Sequence, residues 1–128
     1  MKLDIACVRD ILLYVECLPF DSVATIDKLH ESYPQYTEED ITYNCLKLME
    51  ADYIDGITCS VRMSYLPGIK CITCMTFEGH QFLETIRPET VFEKTKKTLS
   101  TIGTGSFAIA KEIGTSILAE LVRSTLNM

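Results

Sequence analysis

From Leu3 the apolar residues Cys7, Val8, Ile11, Leu12, Val15 and Leu18 recur at intervals of three and four, with Asp4, Arg9, Asp10 and Glu16 between them. This spacing predicts an amphipathic first helix, and Pro19 ends it. A short extended piece is expected near Val23 to Thr25. Ile26, Leu29 and Tyr33 then supply the inner face of a second helix, which stops before Pro34 because the residue preceding a proline is pushed out of the helical region. Pro34 to Tyr36 is the turn. Thr37 with Asp40 three residues on is a capping-box variant opening a third helix, whose core face is Ile41, Cys45, Leu48 and Met49.

The period then changes. Asp55-Gly56 lies in a strand-like stretch, and Ile57 to Tyr65 and Ile69 to Met75 are rich in Ile, Val, Tyr and Cys around the turn signal Leu66-Pro67-Gly68, which predicts a hairpin. Thr76 is placed to cap a fourth helix carrying Phe77, Phe82, Leu83 and Ile86. Pro88 separates it from a fifth, running from near Glu89 to about Leu99. Helix, short strand, helix, helix, hairpin is the order of a winged helix-turn-helix, so the expected fold is mainly α with a small β-hairpin and additional C-terminal helices.

The tail is different. Gly103, Gly105 and Ser106 read as a flexible joint before Phe107, Ile109, Ile113, Ile117, Leu121 and Val122 at helical spacing, broken only by Lys111, Glu112, Glu120 and Arg123. The expected organisation is a winged-helix domain over 1–101 and an apolar helix over 102–128. That helix has more apolar face than one contact needs. Phe107, Ile109, Ile113, Ile117 and Leu121 are therefore candidates for self-association as a homodimer, the alternative being that the helix folds back over the first helix.

Charge complicates the helix-turn-helix. Of the formal −6, residues 1–56 carry −8 (4 basic, 12 acidic) and residues 57–128 carry +2 (8 basic, 6 acidic). An acidic first half repels phosphate and favours cationic partners. The start of the third helix carries Glu38, Glu39 and Asp40 where a DNA reader would place Arg, Lys or Asn, although acids also serve a helix N-terminus through its dipole. Glu38, Glu39, Asp40, Asp52 and Asp55 are accordingly the candidates for binding a protein partner. Against them stand the candidates for DNA: Thr42, Asn44 and Lys47 on the outer face of the third helix, Arg62 and Lys70 in the hairpin, and Arg87, Lys94, Lys96 and Lys97 further on.

Catalytic and metal chemistry find little support. His30 and His80, the two histidines, sit within helical patterns away from any nucleophile and orienting acid, and the chain holds neither a phosphate-binding glycine loop nor a hydrolase elbow. Cys71-Ile72-Thr73-Cys74 has the spacing of a zinc knuckle, with Cys59 and His80 as further donors. Three steps along a strand, however, place Cys71 and Cys74 on opposite faces, so no metal and no cofactor is expected. Met1 leads into an amphipathic pattern instead of a cleavable apolar stretch, which points to a reducing, cytoplasmic setting. There Cys7, Cys17 and Cys45 act as small buried hydrophobes. No apolar run is long enough to span a bilayer, so no membrane partner is expected.

The opening MKLDIACVRDILLYVE, the centre YTEEDITYNCLKLMEADYIDG and above all MTFEGHQFLETIRPETVFEKTKK together resemble the bacterial and prophage-borne domain-of-unknown-function family 2513, over roughly residues 1 to 100. The pattern from Thr76-Phe77-Glu78-Gly79-His80 through Pro88 to Phe92 is its most specific part. Phe92 stands where the family usually has Trp, a departure that keeps an aromatic anchor. The resemblance implies a winged-helix domain of bacterial or phage origin and brings no activity with it. The function expected is non-enzymatic: binding a protein partner through the acidic N-terminal surface, or, as the alternative, regulating transcription by reading the major groove.

Overall fold

The computed structural model describes residues 1–103 and 106–127. Its elements follow one another as α1 (Ile5–Glu16), α2 (Ile26–Ser32), α3 (Glu38–Glu50), β1 (Ile54–Cys59), β2 (Gly68–Met75), α4 (Phe77–Ile86), α5 (Glu89–Ile102) and α6 (Phe107–Leu126). The protein is mainly α with a two-stranded antiparallel hairpin. Ala24, just ahead of α2, pairs with Ile72 through reciprocal backbone hydrogen bonds of 2.9 and 2.8 Å. This single bridge is the expected extended piece, and it completes the third rung of the winged helix-turn-helix sheet.

Side-chain caps open several of the helices. The Asp4 carboxylate accepts from Ala6 N at 3.0 Å to open α1, Thr25 Oγ1 accepts from Lys28 N at 3.3 Å to open α2, and Thr76 Oγ1 accepts from Gly79 N at 3.1 Å to open α4. The apolar stripes meet in one core. Ile11, Leu12, Leu29, Ile41, Leu48, Ile54, Ile72, Phe82, Leu83 and Ile86 are fully buried, each contributing about 1.5–3 kcal/mol by leaving water.

The hairpin differs from its expected form in two ways. β1 ends at Cys59, and residues 60–67 form the connection, so the run through Tyr65 is loop and not strand. There Met63 adopts a positive φ of 61°, and Ser64 Oγ donates to Leu66 O at 2.8 Å. Second, the register skips Thr73 and Lys70, so β2 bulges twice. The skips keep Ile72 and Met75 both inward, although three residues apart they would alternate in a regular strand. They also bring Cys71 and Cys74 to the same outward face, opposite Ile57 and Asp55. The expectation of opposite faces fails because it assumes an unbroken pleat.

α6 folds back, but chiefly onto α5 and α4. Ala110 and Gly114 are buried there, and Phe107 joins Tyr53 and Phe82 in a cluster with ring centroids 5.0–5.6 Å apart. Residues after 101 thus share the core with the winged helix. Of the proposed joint, Gly103 ends α5 in the left-handed region with φ 77°, while Gly105 lies outside the described residues.

Glycines at 79 and 114 allow two different close approaches. A Cβ on Gly79 would lie 2.0 Å from the Tyr53 carbonyl oxygen, whereas one on Gly114 would meet the Thr85 methyl at 2.9 Å. The first obstacle is backbone clamped by its neighbours, and the second is a side-chain methyl. Gly79→Ala should therefore lower the unfolding free energy by ~3 kcal/mol. Gly114→Ala should stay within about 1 kcal/mol of the unsubstituted protein, because alanine's better helix propensity offsets a small shift of Thr85. Urea unfolding of the two variants checks the order; equal losses would contradict it.

Candidate functional site

The helix-turn-helix turn is pinned to α1. Tyr36 donates its phenol proton to Asp10 Oδ2 at 2.7 Å, and burial together with this bond pushes the phenol's pKa up. His30 Nδ1 lies 2.9 Å from the Tyr36 carbonyl oxygen, which accepts only, so Nδ1 carries the proton there. Tyr33 packs edge-on against Tyr14 with centroids 6.5 Å apart. Whatever α2 and α3 present to solvent is thus presented on a rigid base.

The turn leads into the expected capping box. Asp40 N donates to Thr37 Oγ1 at 3.1 Å and Thr37 N to Asp40 Oδ2 at 3.4 Å. Asp40 therefore serves the helix, while Glu38 and Glu39 are exposed and make no side-chain hydrogen bond or ion pair among the described residues. The same holds for Asp27 and Glu31, one turn apart on the outer side of α2, which sequence reasoning passed over. The signal was present: with Ile26, Leu29 and Tyr33 inward, a carboxylate pair at positions i and i+4 must face out.

The five acidic candidates do not form one site. Fourteen residues separate Glu38 from Asp52, a span of about 20 Å along α3. Asp52 sits beyond the far end of α3 with φ 60°, its carbonyl accepting from the Thr76 hydroxyl. Asp55 lies on the outer face of the hairpin, 3.8 Å from the Cys74 thiol.

The DNA candidates fare differently from one another. Asn44 is not on the outer face: it is 1% exposed, accepts from Asp4 N at 2.9 Å and donates to Asp40 O at 2.8 Å. Helical phase puts it beside Ile41, Cys45 and Leu48, and its amide ties the start of α1 to α3. Thr42 is half-buried. Lys47 is engaged, with Nζ 3.1 Å from Glu50 and 5.3 Å from the Tyr43 ring centroid. Arg62 and Lys70 are exposed on the hairpin, and Lys94, Lys96 and Lys97 on α5.

Arg87 grips Glu16 of α1 with both terminal nitrogens and reaches Glu84 at 2.7 Å, while Arg9 donates to the carbonyls of Ile86 at 3.1 Å and Arg87 at 2.6 Å. Arg9 also stacks 4.8 Å over Phe92. These two arginines close the α4–α5 junction onto α1. The hydrogen bonds from Arg87 hold the Glu16 carboxyl below the usual carboxylate range.

The self-association candidates are largely spent inside the molecule. Phe107 and Ile113 pack against the core and Ile117 is half-buried, which leaves Ile109 and Leu121 about two-fifths exposed at 37% and 41%. Cys7 and Cys45 are buried and their thiols pushed up in pKa, Cys7 to about 12, chiefly by burial. Cys17 is exposed at the end of α1, contrary to expectation, because it is the C-cap and lies past the buried stripe. Among the described residues no group of three or more His, Cys, Asp and Glu side chains is placed to hold a metal ion, and no helix is long and apolar enough to cross a membrane.

Sequence reasoning also missed the apolar tip of the hairpin, where Met63 and Tyr65 are fully exposed and Ile57, Val61 and Leu66 about half so. Ile57 lies on β1, whereas Val61, Met63, Tyr65 and Leu66 lie in the connection, where they all meet solvent.

Fold and surface together define a winged helix-turn-helix protein whose third helix is firmly mounted and acidic at its exposed start. The family model described as "Hypothetical protein (DUF2513)" matches residues 2–106, and the chain belongs to that family. No curated protein and no solved structure matches it.

The Glu16–Arg87 pair carries a pH signature. A folded pKa below the unfolded one gives stability that is present above about pH 4.5 and is lost as pH falls through the folded value. Glu16→Gln should cost on the order of 1 kcal/mol at neutral pH, discounted for solvent screening, and much less near pH 3. Unfolding midpoints at the two pH values measure this; a pH-independent cost would exclude the ion pair as the cause.

Proposed function

We propose that this chain acts by binding, as a non-enzymatic winged-helix protein of phage or prophage type. Its helix-turn-helix face docks a cationic surface of a protein partner inside the bacterial cell and so modulates a host or regulatory factor. The carrying observation is the set Asp27, Glu31, Glu38 and Glu39: four exposed carboxylates, none in an ion pair among the described residues, on α2 and α3. Held on a pinned turn, they lose little entropy on binding, and their summed field steers a cationic partner. The same field opposes a polyanion.

Transcriptional regulation by major-groove reading is the weaker alternative. Of its α3 residues, Asn44 is committed to Asp4 and Lys47 to Glu50, which leaves half-buried Thr42 there, with Arg62 and Lys70 on the hairpin and Lys94, Lys96 and Lys97 on α5.

Two measurements separate the readings. Glu38→Lys with Glu39→Lys should abolish capture of the partner from a host lysate while circular dichroism and the unfolding midpoint stay unchanged; undiminished capture would dismiss this face. In an electrophoretic shift at low salt, no duplex should be retarded. A shift that weakens steeply with salt would instead establish the DNA reading.

A further inference from the structure

The outward side of α3 has a pattern that neither a DNA reader nor a simple solvated face needs. Glu39, Tyr43, Leu46 and Glu50 fall at i, i+4, i+7 and i+11, one stripe along the helix opposite Ile41, Cys45 and Leu48. Tyr43 and Leu46 are half-buried in its middle; Glu39 at one end makes no ion pair among the described residues, while Glu50 at the other lies 3.1 Å from Lys47 Nζ, which is also 5.3 Å from the Tyr43 ring centroid. A partly apolar centre with one free acid at its start is the plan of this stripe.

The wing has the complementary plan. Met63 and Tyr65 project fully into solvent at the tip, with Arg62 beside them and Lys70 displaced outward by a bulge. From Gly56 to Phe77 there are two cations and not one carboxylate, in a chain whose net charge is −6. Arg62 and Lys70 make no ion pair among the described residues. A cationic, apolar wing and an acidic, partly apolar helix face are therefore carried by the same molecule.

Both surfaces belong to adjoining elements. α2 and α3 pack on β2, and Ala24, at the entrance to α2, is bonded to Ile72 of the wing. A two-fold axis through this face brings the wing of one molecule to α3 of another and the reverse, so one operation satisfies both surfaces and closes the assembly. We propose that the helix-turn-helix face and wing form a self-complementary interface, in which the Met63–Tyr65 tip of each copy seats on the Glu39–Tyr43–Leu46–Glu50 stripe of a second copy. The inference rests on reading the helix-turn-helix face as a protein-docking surface, and it names a partner for that face. An anionic bilayer or a duplex would match the wing alone, and both are opposed by the carboxylates beside it.

The test is the molar mass of the full chain by light scattering and sedimentation over a concentration series at low and high salt. The unsubstituted protein should dimerise, and its dissociation constant should rise about tenfold or more at 1 M salt, where the screening length falls to about 3 Å. Met63→Asp with Tyr65→Asp on the exposed loop should be monomeric, as should Glu39→Lys with Leu46→Lys. If the latter misfolds, Glu39→Lys alone replaces it, with a dissociation constant raised about tenfold.

Mixing the wing variant with the stripe variant is the decisive arm. The intact wing of one then meets the intact stripe of the other, so a heterodimer should return with one of the two contacts restored. A chain that is monomeric throughout overturns the proposal but leaves the capture result with Glu38→Lys/Glu39→Lys untouched. A dimer that survives the wing variant also overturns it, and if that dimer is lost on Leu121→Asp the interface belongs to α6.

Discussion

The turn between α3 and β1 is the constraint on which the rest of the molecule depends. Tyr53 N bonds to Leu48 O at 2.9 Å, the Tyr53 carbonyl accepts from Thr76 N at 3.0 Å, and the Thr76 hydroxyl bonds to the Asp52 carbonyl. The root of the hairpin is thus held at both ends by the residue that also caps α4. Because α4 must then start directly against the Tyr53 backbone, position 79 has no room for a side chain. The Tyr53 ring, stacked on Phe82 and tilted against Phe107, carries the same constraint to α6. One turn thereby joins wing, third helix and C-terminal helices into a single packing problem.

A second set of interactions decides which charges remain available. The Arg9 and Arg87 side chains are absorbed in closing the α4–α5 junction onto α1, and Asp4, Asp10, Glu16 and Asp40 are absorbed in caps and anchors. These pairings are local answers to local needs: orphan amides at helix starts, orphan carbonyls at the end of α4, a phenol at the turn. What is left for a partner is the residue of that process. On the helix-turn-helix face the remainder is acidic, and on the wing it is cationic and apolar.

This explains which parts of the molecule the sequence discloses. Element order is legible because caps and prolines act within a few residues: Asp4, Thr25, Thr37 and Thr76 each open the expected helix. Asn44 is not legible as an internal tie, since its partner lies 40 residues away and a polar side chain in a helix reads as outward by default. The shared face of Cys71 and Cys74 is equally hidden, because a bulge is set by the need to bury Ile72 and Met75 together, and strand spacing alone implies alternation. α6 packs with Gly114 between Thr85 and Thr95, a contact between three helices that no single segment announces. For the candidate site, the acidity of α3 is plain from composition, whereas the exposure of Met63 and Tyr65 follows only once β1 ends at Cys59.

The scaffold and its surface therefore answer to different physics. Ile41, Cys45 and Leu48 are held to their types by a close-packed core, where the loss of a few methylenes costs several kcal/mol. Glu39, Tyr43, Leu46 and Glu50 meet no such demand, because opposite the core a helix tolerates any residue that solvent or a partner accepts. A major-groove reader fills such a stripe with donors for base edges and cations for phosphate. Here the stripe offers acceptors and apolar area, and the long-range field of the −8 carried by residues 1–56 reinforces it. That field opposes a polyanion and attracts a cationic surface. The core holds the winged-helix scaffold to its form, and under the proposed binding reading it is the outward residues of α3 and the wing that would select a partner.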